Sequence, residues 1–109
     1  MKNTDAIKVF LALGQDTRLN IFRLVVQRGE LGLTPGEIIE RLGVANATLS
    51  FHLKELVSAE LLKVERQSRH LIYRPNAKLV GDLSQFLLEN CCGGKSCEPV
   101  SIIKKVKSK

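Results

Sequence analysis

The stretch TPGEIIERLGVANATLSFHLKELV, residues 34–57, decides the fold. Thr34 can cap a helix with its hydroxyl, a proline follows at the first helical position, and Glu37 supplies the acid of a capping box. That helix ends at Gly43 after barely two turns, and another begins near Asn46. Two helices that meet across a turn of three or four residues have the spacing of a helix-turn-helix.

The second of these helices, predicted over about residues 45–59, has two chemically different faces. At about 100° per residue, its apolar side chains fall on one arc that we expect in the core: Leu49, Leu53, Leu56 and Val57. The opposite arc contains Ala47, Phe51, Lys54 and Glu55. A lone surface phenylalanine is unremarkable, but this one lies near small and hydrogen-bonding side chains. Such a face suits the major groove, where it can reach base edges and a thymine methyl.

We therefore predict that four side chains of this helix lie near base edges: Asn46, Thr48, Ser50 and Phe51. His52 and Lys54 are expected to approach phosphates or to fix the helix. Because His52 projects toward the flank of the apolar arc, a packed and hydrogen-bonded histidine is the alternative for that residue. Ala45 has no capping side chain, so the start of the helix is weakly capped.

A β-hairpin is predicted to follow this helix. Residues 62–66 and 70–74 are rich in strand-forming side chains, and the polar Gln67-Ser68-Arg69 separates them. The predicted tip carries Arg66 and Arg69, long cations that suit a phosphate or a narrow minor groove. A solvated hairpin tip with no DNA contact is the alternative.

Two helices are predicted before this unit. Residues 4–13 form the first, with apolar side chains at helical spacing: Ile7, Phe10 and Leu11. Residues 16–28 form the second, which Asp16 can cap. We expect a broad apolar core face made of Leu19, Phe22 and Val26, flanked by Ile21 and Val25.

A last helix is predicted over residues 77–90, and it is apolar around much of its circumference, with Leu79, Val80, Leu83, Phe86, Leu87 and Leu88. A terminal helix with two apolar sides can bury one in its own domain and the other on a second copy. We therefore predict a homodimer formed by the first and last helices.

The length of 109 residues and the hydrophobic fraction of 44% predict one domain. The order of the predicted elements makes it mostly α-helical with a β-hairpin, of the α+β class. We place this winged helix-turn-helix domain at residues 4–92, and a cysteine-containing loop with a basic, flexible tail at residues 93–109. The tail has five lysines and one glutamate, so it carries +4 of the formal net charge of +6. Basicity therefore gives only weak support for DNA binding.

No stretch approaches the roughly 18 consecutive apolar residues of a membrane span, and the first residues lack the apolar run of a signal peptide. We expect a cytoplasmic protein that does not engage a membrane. In that reducing compartment, an odd number of cysteines argues against a disulfide framework and for a metal or redox role.

All three cysteines lie within residues 91–97, as Cys91, Cys92 and Cys97. Gly93 and Gly94 between them permit a turn that folds the third thiol back onto the first two. Thiolate sulfur suits soft metal ions, so the cluster indicates a soft-ion sensor. Zinc would need a fourth ligand, whereas Cu(I) and trivalent arsenic or antimony accept fewer.

The sequence as a whole resembles the ArsR/SmtB family of winged helix-turn-helix repressors. The resemblance rests on DTRLNIF at 16–22, LGV at 42–44, SFHLKEL at 50–56 and RHLIY at 69–73, and it covers about residues 5–92. It implies a homodimer that binds an inverted-repeat operator DNA and leaves it when a metal or metalloid binds. It implies neither an enzymatic activity nor an obligatory cofactor.

The family's metal sites differ in position, and this chain lacks two of them. The helix at 34–42 has no cysteine pair, and the last helix has no histidine. The arrangement of Cys91, Cys92 and Cys97 is similar to that of the subgroup that responds to trivalent arsenic, although its final spacing is one residue shorter. This resemblance implies As(III) or Sb(III), bound by three thiolates, as the inducer.

Other readings of the cysteines stay open. Cu(I) would accept the same sulfurs, methylarsenite would need two of them, and thiol oxidation would need no metal. A thiol-dependent oxyanion reductase is a further alternative, but such enzymes place their nucleophile before a helix amino terminus, whereas these cysteines follow a helix. A DNA-binding protein with no sensing role would leave the cluster unexplained.

Overall fold

The computed structural model describes residues 1–94. The elements, in chain order, are α1 Asn3–Leu13, α2 Asp16–Arg28, a 3₁₀ turn Gly29–Leu31, α3 Pro35–Leu42, α4 Asn46–Ser58, β1 Leu62–Gln67, β2 His70–Pro75, α5 Ala77–Leu87 and a second 3₁₀ turn Cys91–Gly94. Five helices and one antiparallel hairpin confirm the predicted class, a winged helix-turn-helix. The predicted tail lies mostly outside the described residues.

The core lies around the buried side of α2, which contacts α1, α3, α4 and β2. Its residues Ile21 and Val25 are both 0% exposed. The other elements contribute further fully buried side chains, among them Leu33, Ile38, Leu49, Leu56 and Leu61. Each such side chain stabilises the fold by roughly 1.5–3 kcal/mol relative to an exposed position.

The helix-turn-helix forms as its sequence predicts. The Thr34 hydroxyl oxygen accepts from the Glu37 amide at 3.2 Å, and the Glu37 carboxylate accepts from the Thr34 amide at 2.9 Å. This backbone hydrogen bond from Thr34 lowers the pKa of Glu37. Gly43 ends α3 in the left-handed conformation with φ 68°. Helix α4 begins after Ala45, which offers no side-chain cap.

Two expectations about the first helices are wrong. The cap of α2 is Gln15, not Asp16, because the Gln15 side-chain oxygen accepts from the Arg18 amide at 2.8 Å. Leu19 and Val26 are 41% and 46% exposed, because α2 turns Phe22 and the predicted flank of the apolar face, Ile21 and Val25, into the core.

Helix α1 places its small side chains inside and its large ones outside. The buried residues are Ala6, Val9 and Ala12. The apolar residues that the periodicity selects, Ile7, Phe10 and Leu11, are 53%, 47% and 71% exposed. Small residues allow α1 to approach its neighbours closely, and they leave an uncovered apolar face.

The hairpin is anchored to the body of the domain by a short backbone bridge. The Leu33 amide donates to the Tyr73 carbonyl at 2.9 Å, and the Tyr73 amide donates to the Leu33 carbonyl at 2.8 Å. Gly32 makes this approach possible, because a Cβ there would lie 2.6 Å from Ile72 Cγ2 and 2.9 Å from the Tyr73 carbonyl oxygen. The tip is a two-residue turn between Gln67 and His70.

Helix α5 is shorter than predicted. It ends at Leu87, and Asn90 has φ 58° before the second 3₁₀ turn begins. The predicted end near Asn90 was wrong by three residues, because the backbone leaves the helical conformation at Leu88, with φ −98° and ψ 5°. Leu83 is its buried residue, whereas Val80 and Leu87 are 39% and 57% exposed.

Gly32→Ala is expected to destabilise the domain more than Gly29→Ala. Both glycines have positive φ, 70° and 71°, so both variants pay about 1–3 kcal/mol of backbone strain. Only Gly32 faces atoms closer than 3 Å, whereas a Cβ at Gly29 meets nothing within 4 Å. Overpacking adds about 1–3 kcal/mol. Urea unfolding of both variants measures the difference, and equal midpoints would contradict the proposed close approach.

Candidate nucleic-acid interface

The outer face of α4 is exposed and carries the side chains that the sequence predicts. Its apolar side is buried, with Leu49, Leu53 and Leu56 exposed by 1%, 3% and 0%. The opposite side is therefore turned to solvent, with Phe51 at 56% exposure. Ala47 and Glu55 of this face are exposed, as are the predicted DNA-contacting residues Asn46, Thr48, Ser50 and Lys54. Phe51 and these four DNA-contacting candidates are called the polar-aromatic face below.

His52 does not share this face. It is 7% exposed, and its Nδ1 accepts a hydrogen bond from Arg18 Nη1 at 3.2 Å. Burial lowers the pKa of His52, and the neighbouring Arg18 guanidinium lowers it further, while Glu55 acts in the opposite sense. The structure thus places His52 as a packed, hydrogen-bonded histidine that holds α4 against α2.

Arg18 is a residue of this region that the sequence did not single out for a role. Its Nε donates to the carbonyl of Ala12 at 2.7 Å, and its Nη1 donates to His52. The Phe51 and His52 rings then lie edge to face, with centroids 5.3 Å apart. Arg18 belongs to the DTRLNIF motif, but its partner is 34 residues away, so sequence spacing alone gives no signal for the pair.

The wing presents its predicted cations to solvent. Arg66 pairs with Leu71 one residue before the end of β1, Arg69 lies in the turn, and both are exposed. Arg74, further along β2, has a structural role: its Nε donates to the Glu30 carbonyl at 2.8 Å, and it pairs with Glu65. The hydrogen bond from Arg74 lowers the pKa of Glu65. Arg66 and Arg69 are therefore the wing arginines that face outward.

Cys91 and Cys92 lie beyond α5, in the second 3₁₀ turn. The Sγ atoms of Cys91 and Cys92 are 3.7 Å apart, and Cys92 has φ 57°. Among residues 1–94, no three histidine, cysteine or acidic side chains converge as a metal site. The third predicted ligand, Cys97, lies outside the described residues.

Comparisons with known proteins agree with the helix-turn-helix geometry. Residues 13–65 match a protein-family model described as a helix-turn-helix domain. An uncharacterized HTH-type transcriptional regulator, YbzH of Bacillus subtilis strain 168, is 26% identical over an alignment of 95 residues that covers 76% of this chain and 95% of that protein. Within residues 1–94, no helix has the length and apolar character that crossing a bilayer requires.

Solved structures extend the match to the whole domain. An ArsR-like transcriptional regulator from Rhodococcus sp. RHA1 superposes with a TM-score of 0.71 at 22% identity, covering 94% of this chain and 92% of that one. The fold is that of the ArsR-like winged-helix regulators. Mb0332 from Mycobacterium bovis, a homodimeric winged helix-turn-helix DNA-binding domain, has a TM-score of 0.63 at 22% identity and covers 87% of this chain and 88% of its own. These matches are to transcriptional regulators, not to enzymes.

The buried His52 gives the fold a distinct pH dependence. Its pKa is below 6.5 in the folded state, so the unfolded chain binds the proton more readily. Its contribution to stability is present above the ordinary histidine pKa of 6.5 and is lost as the pH falls through the lowered folded-state pKa.

His52→Asn is expected to flatten the slope of this pH dependence, because an asparagine oxygen can still accept from Arg18 but does not titrate. His70→Gln, at an exposed hairpin position, is the matched control and should keep the wild-type slope. Urea unfolding between about pH 5 and 7.5 avoids the range in which acidic residues titrate. An unchanged slope in His52→Asn would rule out His52 as its source.

Proposed function

We propose that this protein is a homodimeric transcriptional repressor that binds operator DNA through α4 and the wing and releases it when trivalent arsenic or antimony binds Cys91, Cys92 and Cys97. The observation that carries the DNA-binding part is the polar-aromatic face of α4. It is solvent-exposed on the second helix of a helix-turn-helix, the position from which such helices enter the major groove.

The composition of this face supports base readout. Ser50 and Thr48 hydroxyls and the Asn46 amide can donate to or accept from base edges, while the Phe51 ring offers an apolar contact to a thymine methyl. Lys54 adds a cation for a phosphate. On the wing, Arg66 and Arg69 are long cations that can contact a phosphate or enter a narrow minor groove.

A dimer is supported by the uncovered apolar side chains of the first and last helices. Ile7, Phe10 and Leu11 on α1 are exposed, as are Val80 and Leu87 on α5. An isologous interface between two copies would bury these side chains and relate the two α4 helices by a twofold axis. An inverted-repeat operator has the same symmetry, which is the form of DNA that such a dimer recognises.

Lys54→Gln is expected to weaken DNA binding across sequences and to lower the salt dependence. Each phosphate contact that is lost reduces the slope of log K against log salt by about 0.9. Lys78→Gln, on α5 with its side chain 84% exposed, removes the same charge away from α4 and is the control. Fluorescence anisotropy with a duplex selected from a random pool by the wild-type protein measures both. Equal loss in the two variants would contradict binding through α4.

The sensing part rests on the chemistry of the cysteine cluster. Cys91 and Cys92 are adjacent in the second 3₁₀ turn, so once reduced both thiols can reach one soft ion. Trivalent arsenic and antimony form three bonds, so Cys97 would complete the set. Zinc asks for a fourth ligand, and residues 1–94 hold no histidine or acid converging with these thiols.

The position of the cluster supports release of DNA on binding. Cys91 lies four residues beyond the end of α5, a helix with exposed apolar residues that we assign to the dimer interface. Drawing Cys97 onto Cys91 and Cys92 would rearrange the chain beside that interface. A small rotation between protomers would then move the two α4 helices away from half-site spacing, with a coupling of about 1–3 kcal/mol.

Arsenite is expected to release the wild-type protein from DNA, and Cys97→Ser is expected to lose most of this response because one of three arsenic bonds is missing. Ser96→Ala, at the neighbouring position, is the control and should respond like the wild type. Gel-shift titration under a reducing thiol-free phosphine measures release. If arsenite released the Cys97→Ser variant from DNA as readily as the wild type, the three-thiolate site would be wrong.

Gel-shift titrations with methylarsenite, Cu(I) and peroxide distinguish these alternative inducers from arsenite. Methylarsenite offers two open positions, so it should tolerate loss of one cysteine that arsenite does not. If Cu(I) or peroxide releases DNA at a lower concentration than arsenite does, the inducer is copper or thiol oxidation and not a metalloid.

A further inference from the structure

One side chain joins the helix proposed for dimerisation to the helix proposed for DNA binding. Arg18 of α2 donates from Nε to the Ala12 carbonyl in the last turn of α1. It also donates from Nη1 to Nδ1 of His52 on α4. His52 lies edge to face against Phe51, which belongs to the polar-aromatic face. A continuous chain of contacts therefore runs from α1 to the surface that faces DNA.

We propose that Arg18 is a positioning residue that fixes α4 relative to α1, so that movement of the dimer helices reaches the polar-aromatic face. The inference rests on the proposed function, because it presumes that α1 lies in the dimer interface and that α4 binds DNA. Arg18 itself touches no base in this scheme; it acts through His52 and Phe51.

The chemistry of the guanidinium suits this task. Its donors are held in a rigid planar fork, so two bonds made at once fix the directions of both acceptors. The Ala12 carbonyl is among the last four of α1, which have no partner within the helix, and Arg18 supplies one. A lysine keeps the charge at this position but cannot reproduce two bonds with fixed geometry.

The surroundings of Arg18 make the link sensitive to charge. The groove between α1 and α4 is lined by Lys8, Leu11, Ala12, Arg18, Glu55, Ser58 and Ala59. His52 therefore lies beside Arg18 from α2 and Glu55 from α4, with Lys8 of α1 on the same groove. Protonation of His52 would remove the acceptor for Arg18 and place a second cation beside it.

A double-mutant cycle in DNA affinity tests the proposal, using Arg18→Lys, His52→Leu and the combined variant. We expect each single variant to lower affinity about ten-fold, within the range of coupled residues, and the combined variant to be no weaker than either. His52→Asn, which keeps an acceptor for Arg18, should restore most of the affinity. The salt slope should stay at the wild-type value in all four, because no phosphate contact is lost.

Arg23→Lys is the matched control, since Arg23 is an exposed arginine on the same helix. Independent, multiplying losses in the cycle, a reduced salt slope in Arg18→Lys, or an equal loss in Arg23→Lys would each overturn the proposal. Multiplying losses would assign Arg18 a general role in stability, and a reduced salt slope would assign it a direct DNA contact.

A measurement without DNA keeps this inference separate from the proposed function. If the wild-type protein binds no duplex, the proposed function fails, but the position of α4 can still be followed by amide NMR shifts of residues 48–54. Arg18→Lys should shift these signals and Arg23→Lys should not. Unchanged shifts in Arg18→Lys would overturn the positioning role whether or not the protein binds DNA.

Discussion

Burial of one side of α2 is the constraint on which the rest of the structure depends. Ile21 and Val25 have no exposed surface, and α1, α3, α4 and β2 all pack around this helix. Because α4 is held there by Leu49, Leu53 and Leu56, its opposite side must face solvent. The polar-aromatic face is thus a result of core packing, and the same packing brings Arg18 of α2 within reach of both α1 and α4.

Local signals in the sequence were sufficient for the helix-turn-helix and the hairpin. The capping box of Thr34 and Glu37, the left-handed Gly43 and the polar hairpin turn each act within a few residues, so their structural effects can be predicted without knowing the fold. The exposed side of α4 was predictable for the same reason, since helical periodicity and the buried leucines determine it.

The features that sequence reasoning missed are set by tertiary packing. Helical periodicity identified an apolar face on α1, but it does not indicate that the small residues Ala6 and Ala12 are the ones buried in the core. Leu19 and Val26 look like core residues, yet α2 turns a neighbouring arc inward. The hydrogen bond between Arg18 and His52 spans 34 residues and has no local signature. The contacts of the proposed DNA and metalloid residues with their ligands remain predictions.

The arrangement of α1 has a thermodynamic consequence for the isolated chain. Helix α1 packs on its own domain through Ala6, Val9 and Ala12, which bury little area, and through the hydrogen bond from Arg18 to the Ala12 carbonyl. Its larger apolar side chains, Ile7, Phe10 and Leu11, keep 53%, 47% and 71% of their surface in water, so much of their burial free energy is gained only when another surface covers them. If a second copy provides that surface, part of the stability of each chain depends on protein concentration, and dilution would loosen α1 before the remaining core.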